Sequence, residues 1–260
     1  MMRALYIAKT GMDSSQFRLD VVSNNLANVS TKGFKRGTAV FEDLYYQTLR
    51  QPGSQLPNGA NLPTGLQVGT GSAPVATARI HTEGDLLPTG QSLDWAIVGD
   101  GFFRIQMPDG TTGYTRNGEF KRNSNGDIVN PQGLQLNPNV NIPANATDLS
   151  VSQSGVIQYK VPGNPAPQTA GNIQLTTFIN PQGLQSIGDN LYLQTAASGD
   201  PQDGDPATDN RGLIRQGFLE NSNVNVTEEL VNMITAQRAF EMNSKAITTC
   251  DQMLQRLTQL

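Results

Sequence analysis

The last forty residues (221–260, NSNVNVTEELVNMITAQRAFEMNSKAITTCDQMLQRLTQL) contain neither proline nor glycine, the residues that interrupt helices. Within them Leu230, Met233, Gln237, Phe240, Ser244 and Ile247 alternate at spacings of three and four, the seam of a coiled coil. Leu254 and Leu257 continue that seam after a small phase slip. Thr227 can cap the helix, and Glu228 and Glu229 then sit where the helix dipole favours negative charge. Val231, Ile234 and Ala239 widen the apolar face, so more than one neighbour is expected on this helix. About 30 helical residues would span about 45 Å, too long to close on a small domain without a partner.

The other end of the chain supplies a match. Leu5, Ala8, Met12, Ser15, Leu19, Val22 and Leu26 repeat the three-four spacing from the first turn. The start is basic (Arg3, Lys9, Arg18, Lys32, Lys35, Arg36 against Asp13 and Asp20), whereas Glu228, Glu229, Glu241 and Asp251 outnumber Arg238, Lys245 and Arg256 in the tail. Opposite charge favours pairing of the two ends, at about 0.2–1 kcal/mol per exposed pair. Two readings of these segments stand side by side: helices that close a globular core, or a coiled-coil surface for assembly.

The middle is of another kind. With 26 glycines and 15 prolines in 260 residues, it suits a turn-rich β region. Asn25 or Asn28 can end the first helix in a left-handed conformation, and Gly33 offers another positive-φ position. Phe34, between Lys32 and Lys35, reads as an anchor onto a neighbouring element. Residues 51–71 carry three prolines, five glycines and no charge, the composition of a linker or extended arm. Strand-length runs follow at 75–81, 93–98, 102–107, 113–116, 119–122, 127–130, 149–151, 156–161, 173–178 and 191–194. Asp109-Gly110, Asn117-Gly118 and Asn125-Gly126 are expected as tight hairpin turns. NPQGL occurs at 130–134 and 180–184, which two independent turns explain. The fold expected is α+β: an antiparallel β domain flanked by terminal amphipathic helices paired in a coiled-coil-like layer. Its divisions are an N-terminal helix and turn (1–36), an arm (37–73), the β domain (74–214) and a C-terminal helical segment (215–260).

Little points to catalysis. The single histidine, His81, permits no multi-histidine metal site, and is expected as a hydrogen-bonded structural imidazole in a strand. Asp200, Asp203, Asp205 and Asp209 share one loop, but their order lacks the calcium-loop pattern and Pro201 and Pro206 break it; they read as a solvated acidic loop. Asp94, Asp100 and Glu119 lie among the strands, where two could face each other across a cleft, and Trp95 beside them could stack on a sugar or fill the core. Gly69-Thr70-Gly71 lacks the third glycine and preceding strand of a dinucleotide loop. The lone Cys250 reads as a small core residue. A net charge of −4 opposes sequence-independent nucleic-acid binding. No transmembrane run occurs, and Lys9 and Asp13 spoil a secretory signal. No cofactor and no enzymatic activity are expected.

Two stretches resemble a known family. SNNLANVSTKGFKR (residues 23–36) is similar to the N-terminal signature of bacterial flagellar axial proteins, the rod and hook subunits. ENSNV (220–224) through QRAFEMNSK (237–245) resembles their C-terminal signature, and LDWAIVGDGFF (93–103) the start of their central domain. Within the family, the length and the arm are most similar to distal rod subunits; a proximal rod or hook-like sister is the near alternative, and a peptidoglycan-acting β-domain protein the remote one. The resemblance implies a structural, self-assembling protein whose ends are ordered on polymerisation into a hollow helical tube. It implies export by the flagellar type III apparatus, proximal rod and hook proteins at the two ends of the tube, and P- and L-ring proteins around it. The implied assembly interface comprises Leu5, Met12, Leu19, Val22, Asn24, Asn25, Leu26, Asn28, Gly33 and Phe34, with Leu230, Met233, Gln237, Arg238, Phe240, Ile247, Leu254 and Leu257. The arm between subunits would use Gln51, Pro52, Leu56, Pro57, Leu62, Pro63 and Leu66.

Overall fold

The computed structural model describes residues 2–53 and 63–258, the side chains of residues 164, 165, 257 and 258 apart. Leu56, Pro57 and Leu62 therefore lie outside the described residues, as does the side chain of Leu257. The chain is α+β and forms two units: Met1–Ala27, Gly37–Ala78 and Asn225–Leu260 make one, Asn28–Arg36 and Arg79–Val224 the other.

In the first unit, helix α1 (Met2–Ala27) lies against helix α2 (Val226–Thr258). They run antiparallel, since Asn25 meets Glu229 and Gly11 approaches Asn243. The second side of α1 is covered by a two-stranded ribbon, Gly37–Asp43 paired with Ser72–Arg79. There Ser14 and Ser72 share a hydroxyl hydrogen bond of 2.9 Å, Phe17 meets Phe41 edge-on at 6.4 Å, and Gly71 comes so close to Thr10 that a Cβ would sit 1.9 Å from its hydroxyl. Tyr46–Arg50 pairs with Leu66–Gly69 in a ribbon whose first strand is exposed along its length. The roots of the uncharged arm are thus hydrogen-bonded strands, where composition suggested linker.

Two helix-end expectations are corrected. Asn225, not Thr227, caps α2: its Oδ1 accepts from the Thr227 and Glu228 amides at 3.0 and 3.4 Å. The asparagine carbonyl stands one residue before the helix and so reaches its second and third N–H groups. Neither Asn25 nor Asn28 adopts a left-handed conformation. Asn25 stays helical and spends its amide on Gly37, donating to its carbonyl and accepting from its N–H, both at 2.8 Å.

The second unit is antiparallel throughout. Its main sheet runs Gln185–Gly188, Leu191–Leu193, Thr112–Thr115, Phe102–Gln106, Leu175–Thr177, Gln202–Gly204, with Leu136–Asn137 beside Phe102–Gln106. Leu149–Val151, Val156–Val161 and Asn164–Asn172 form a separate three-stranded sheet. Trp95, Ile97, Phe103, Ile105, Ile128, Ile157 and Leu175 lead the core, all with essentially no exposure; burying each is worth about 1.5–3 kcal/mol. Trp95 fills this core and donates its indole N–H to the Ser92 carbonyl, so no ring face is left for a sugar.

The turns depart from the expected dipeptides. In Asp189-Asn190 and Asp209-Asn210 both residues take positive φ, the geometry that favours Asn and Asp after glycine. In Asp109-Gly110 and Asn125-Gly126 the glycine alone takes positive φ, and Gly118 does not. Gly118 is instead pressed against Trp95, whose carbonyl would lie 1.6 Å from a Cβ there. The repeated NPQGL makes two different turns: residues 130–134 close through backbone bonds between Asn130 and both Gly133 and Leu134, with the Asn130 side chain accepting from the Gln132 and Leu134 amides, while Pro181–Gly183 is a 3-10 turn.

The chain crosses between the units at Ala27/Asn28, Arg36/Gly37, Ala78/Arg79 and Val224/Asn225, so residues 28–36 and 215–224 belong with the β unit. Hydrogen bonds decide this. Leu213–Gln216 pairs with Trp95–Val98, Phe218–Glu220 pairs with Leu86–Pro88, and the turn after α1 bonds into the same unit.

Candidate assembly interface

The N-terminal signature is split between the units. In its helical half, which ends at Ala27, Asn25 is buried and donates to Glu229 Oε2 at 3.2 Å as well as to the Gly37 carbonyl. A buried amide bonded to a buried carboxylate holds one register of the α1–α2 pair, because a slip of one turn strands both groups. Ala8, Ser15 and Val22 are buried on α1, with Leu5, Met12, Leu19 and Leu26 half-buried beside them. Facing them on α2 are Glu229, Met233, Ala236, Phe240, Asn243, Ile247, Cys250 and Leu254. Ala236 is the most buried of the apolar residues in that row, and Cys250 is half-buried.

This register keeps Met233, Phe240, Ile247 and Leu254 of the predicted seam but turns Leu230 and Gln237 outward. Leu230 is 43% exposed and Gln237 is exposed. Glu229 and Ala236 take those places, since a small residue and a bonded carboxylate let the helices approach where Leu and Gln would not. Of the residues expected to widen the apolar face, Val231 and Ile234 are exposed and Ala239 is half-buried; Met242, 66% exposed, and Met253 join Val231 and Ile234 on the side of α2 facing away from α1. Arg238 and Asn24 are exposed as well. Each helix thus covers the inner seam of the other within one chain, and the outer face of α2 is left without a cover among the described residues.

The other half of the signature enters the β unit. Gly33 has φ of +69°, and a Cβ there would lie 2.6 Å from the Asn117 nitrogen, so both conformation and space require glycine. Its N–H donates to the Glu220 carbonyl at 2.9 Å. Phe34 is buried beneath the Arg79 guanidinium, 5.3 Å from the ring centre. Lys35, at 1% exposure, donates to Glu220 Oε1 at 2.5 Å and to the Thr82 carbonyl at 2.6 Å. Arg116 donates to the other oxygen of Glu220 at 2.9 Å and to the carbonyls of Gly99 and Gly101 at 2.8 Å. One carboxylate from the C-terminal signature is therefore clamped between a lysine of the N-terminal signature and an arginine of the sheet. Burial alone would raise the Glu220 pKa, but Arg116 and then Lys35 outweigh it and hold the carboxyl below its usual range. Arg36 N–H donates to the Asn223 side chain at 2.7 Å, and Asn223 donates onward to the Ile80 and Thr82 carbonyls. Lys32 donates to Asn221 at 2.6 Å.

Nothing in the sequence marks Lys35, Glu220 and Arg116 as one buried cluster. Each is an ordinary surface-type residue, and what brings them together is a pairing across 185 and 104 positions. Lys35 and Arg116 form one wall of a cavity of about 370 Å³, with His81, Phe102, Phe178 and Asp209 among its other lining residues. His81 lies two residues beyond its strand and meets Phe102 and Tyr192 edge-on. Burial, then the charges of Lys35, Arg116 and Arg79, push its pKa down to about 4. Its buried Nδ1 has no hydrogen-bond partner among the described residues. His81 is thus an imidazole packed among aromatic rings just past the strand, where a hydrogen-bonded one within the strand was expected.

The aspartates clustered between residues 200 and 209 are engaged by neighbouring side chains, Asp200 by Gln194. Asp203 is held by Arg104 and Thr176 on the strand Gln202–Gly204, Asp205 accepts from Asn172, and Asp209 pairs with Arg211. The segment expected as a solvated loop is thus partly strand, and no group of three metal-ligating side chains occurs among the described residues. Asp94 and Glu119 are backbone partners that line one shallow cleft, where Glu119 pairs with Lys121 at 3.3 Å. Among the described residues no helix is long and apolar enough to cross a membrane.

Three stretches match known families. Residues 5–35 match the family described as flagella basal body rod protein, residues 96–159 the flagellar hook protein FlgE/F/G D1 domain, and residues 215–260 the flagellar basal body rod FlgEFG protein C-terminal region. Together they define the class, the rod and hook proteins of the bacterial flagellum. Full-length relatives narrow it. The flagellar basal-body rod protein FlgG of Buchnera aphidicola subsp. Acyrthosiphon pisum is 51% identical over 260 residues, covering all of both chains. The FlgG proteins of Caulobacter vibrioides and Bacillus subtilis are 48% and 41% identical, each covering all of this chain and 99% of the relative. The hook protein FlgE of Escherichia coli stands at 25%. The chain belongs to the FlgG family of flagellar basal-body rod proteins.

Proposed function

We propose that the chain is the structural subunit of the distal rod, adding head to tail to a hollow helical tube that carries torque from motor to hook. The observation that carries this is the division of α2 into an inner face spent on α1 and an outer apolar face open to a neighbour. Monomeric proteins seldom leave such a face uncovered, and a contact between unlike faces of identical subunits propagates as an open helix. The interface then comprises the outer positions of both helices, including Leu230 and Arg238, while Met12, Leu19, Val22 and Phe240 support it from behind. Ordering the ends costs about 1–2 kcal/mol per residue in backbone entropy, offset fully when neighbours cover them, so polymerisation waits for a template. Proximal rod and hook proteins meet the two ends of this tube, the P and L rings surround it, and the flagellar type III apparatus exports the subunit.

The arm, with Gln51, Pro52, Pro63 and Leu66 at its described roots, locks adjacent subunits and stiffens the tube. Limited proteolysis tests the scheme. Both ends are expected to be cut in the free chain and protected after seeded polymerisation; ends protected in a monodisperse monomer would contradict it. Straight, rigid rods formed after deletion of residues 51–66 would remove the arm's role alone.

A further inference from the structure

Resting on that assembly reading, we infer that the outer face of α2 in one copy seats on the outer face of α1 in the next, with Arg238 opposite Asp20 and Lys245 opposite Asp13. All three cations of α2, Arg238, Lys245 and Arg256, are exposed. Arg238 and Lys245 are seven residues apart and therefore on one side of the helix, which they share with Ile234 and Met242, 51% and 66% exposed.

On α1, one side meets α2 and another meets the ribbon of Gly37–Asp43 and Ser72–Arg79. The strip that remains carries Asp13 and Asp20, also seven apart and exposed, with the exposed Lys9 one turn before Asp13 and Met2 and Tyr6 exposed at its N-terminal end. Among the described residues Asp13, Arg238 and Lys245 make no ion pair, and Asp20 accepts a hydrogen bond from Gln16. Two turns of helix separate the charges on each face by about 10.5 Å, so both pairs can close together.

The direction follows from the fold. Within one chain α1 and α2 run antiparallel, and copies stacked with a common polarity keep that sense between α2 of one and α1 of the next. Arg238 then meets Asp20, Lys245 meets Asp13, and Met253 approaches Tyr6. Apolar contact supplies the attraction, and the paired charges select the register. Because the two faces differ, the contact leaves a fresh α1 face and a fresh α2 face at the ends of every assembly.

Three full-length variants test this: D13K/D20K, R238E/K245E, and the four substitutions combined. The readouts are the critical concentration for seeded polymerisation, by sedimentation and electron microscopy, and far-ultraviolet circular dichroism of the monomer. Each pairwise reversal is expected to raise the critical concentration about tenfold or more, with helix content unchanged, and the combined variant to return to within about threefold of the unmodified chain. Reversals that assemble normally, or a combined variant that stays impaired, would overturn the inference and leave the rod reading standing. An unmodified chain that stays monomeric on every seed would overturn both.

Discussion

Replacing Glu220 by glutamine removes the one anion between Lys35 and Arg116 while keeping shape and hydrogen-bonding capacity. The three side chains are 1%, 1% and 3% exposed. Two cations would then face each other across a neutral amide with almost no access to water. Deleting one partner of a buried pair costs about 3–5 kcal/mol, because the charges left behind lose their compensation without regaining hydration. A domain of this size holds about 5–15 kcal/mol in total, so the loss is a large share of the stability of the β unit. At about 2–4 °C per kcal/mol, the melting midpoint should fall by about 10 °C. Trp95, the single tryptophan and fully buried in that unit, reports the transition by fluorescence. The pH dependence adds a second check. A carboxyl whose folded pKa is depressed stabilises above its unfolded value, and that contribution fades as pH falls through the folded one. The gap between E220Q and the unmodified chain should therefore close in acid. A loss under about 1 kcal/mol at neutral pH would show that Glu220 is not the counter-charge on which the buried cluster depends.

His81 gives the opposite side of the same electrostatics. Its folded pKa of about 4 against an ordinary 6.5 means the unfolded chain binds the extra proton, so stability falls as pH drops from 6.5 to 4, by at most about 3.4 kcal/mol; urea titrations of H81Q should lack that part of the slope. Asn25→Ala should cost about 1–3 kcal/mol by stranding Glu229 and the Gly37 backbone, with the loss confined to hydrogen-exchange protection of α1 and α2. Asn225→Ala should cost about 1 kcal/mol of helix stability, whereas Thr227→Ala should cost less than half of that; equal effects would contradict the assigned cap. Gly33→Ala should destabilise the β unit by more than the 1 kcal/mol or so of a left-handed alanine, because its methyl group meets backbone atoms that cannot move aside; calorimetry of the full chain measures it.

Local pattern determined the elements, and tertiary pairing determined their partners. Helical periods at both ends are properties of neighbouring residues, so α1, α2 and strands such as Leu149–Val151 and Val156–Val161 could be placed from sequence spacing, and a positive φ at Gly33 from composition. The seam of α2 could not be phased, because Leu230 and Glu229 are adjacent and only packing against α1 decides which turns inward. The choice goes to Glu229 because Asn25 waits for it across 204 positions, a distance no local pattern spans. The junction of Lys35, Glu220 and Arg116 was hidden for the same reason: burial of a charge is favourable only when its partners arrive, and they arrive from three remote parts of the chain. Turn type, likewise, depended on strand register, which moved the doubly left-handed turns to Asp189-Asn190 and Asp209-Asn210.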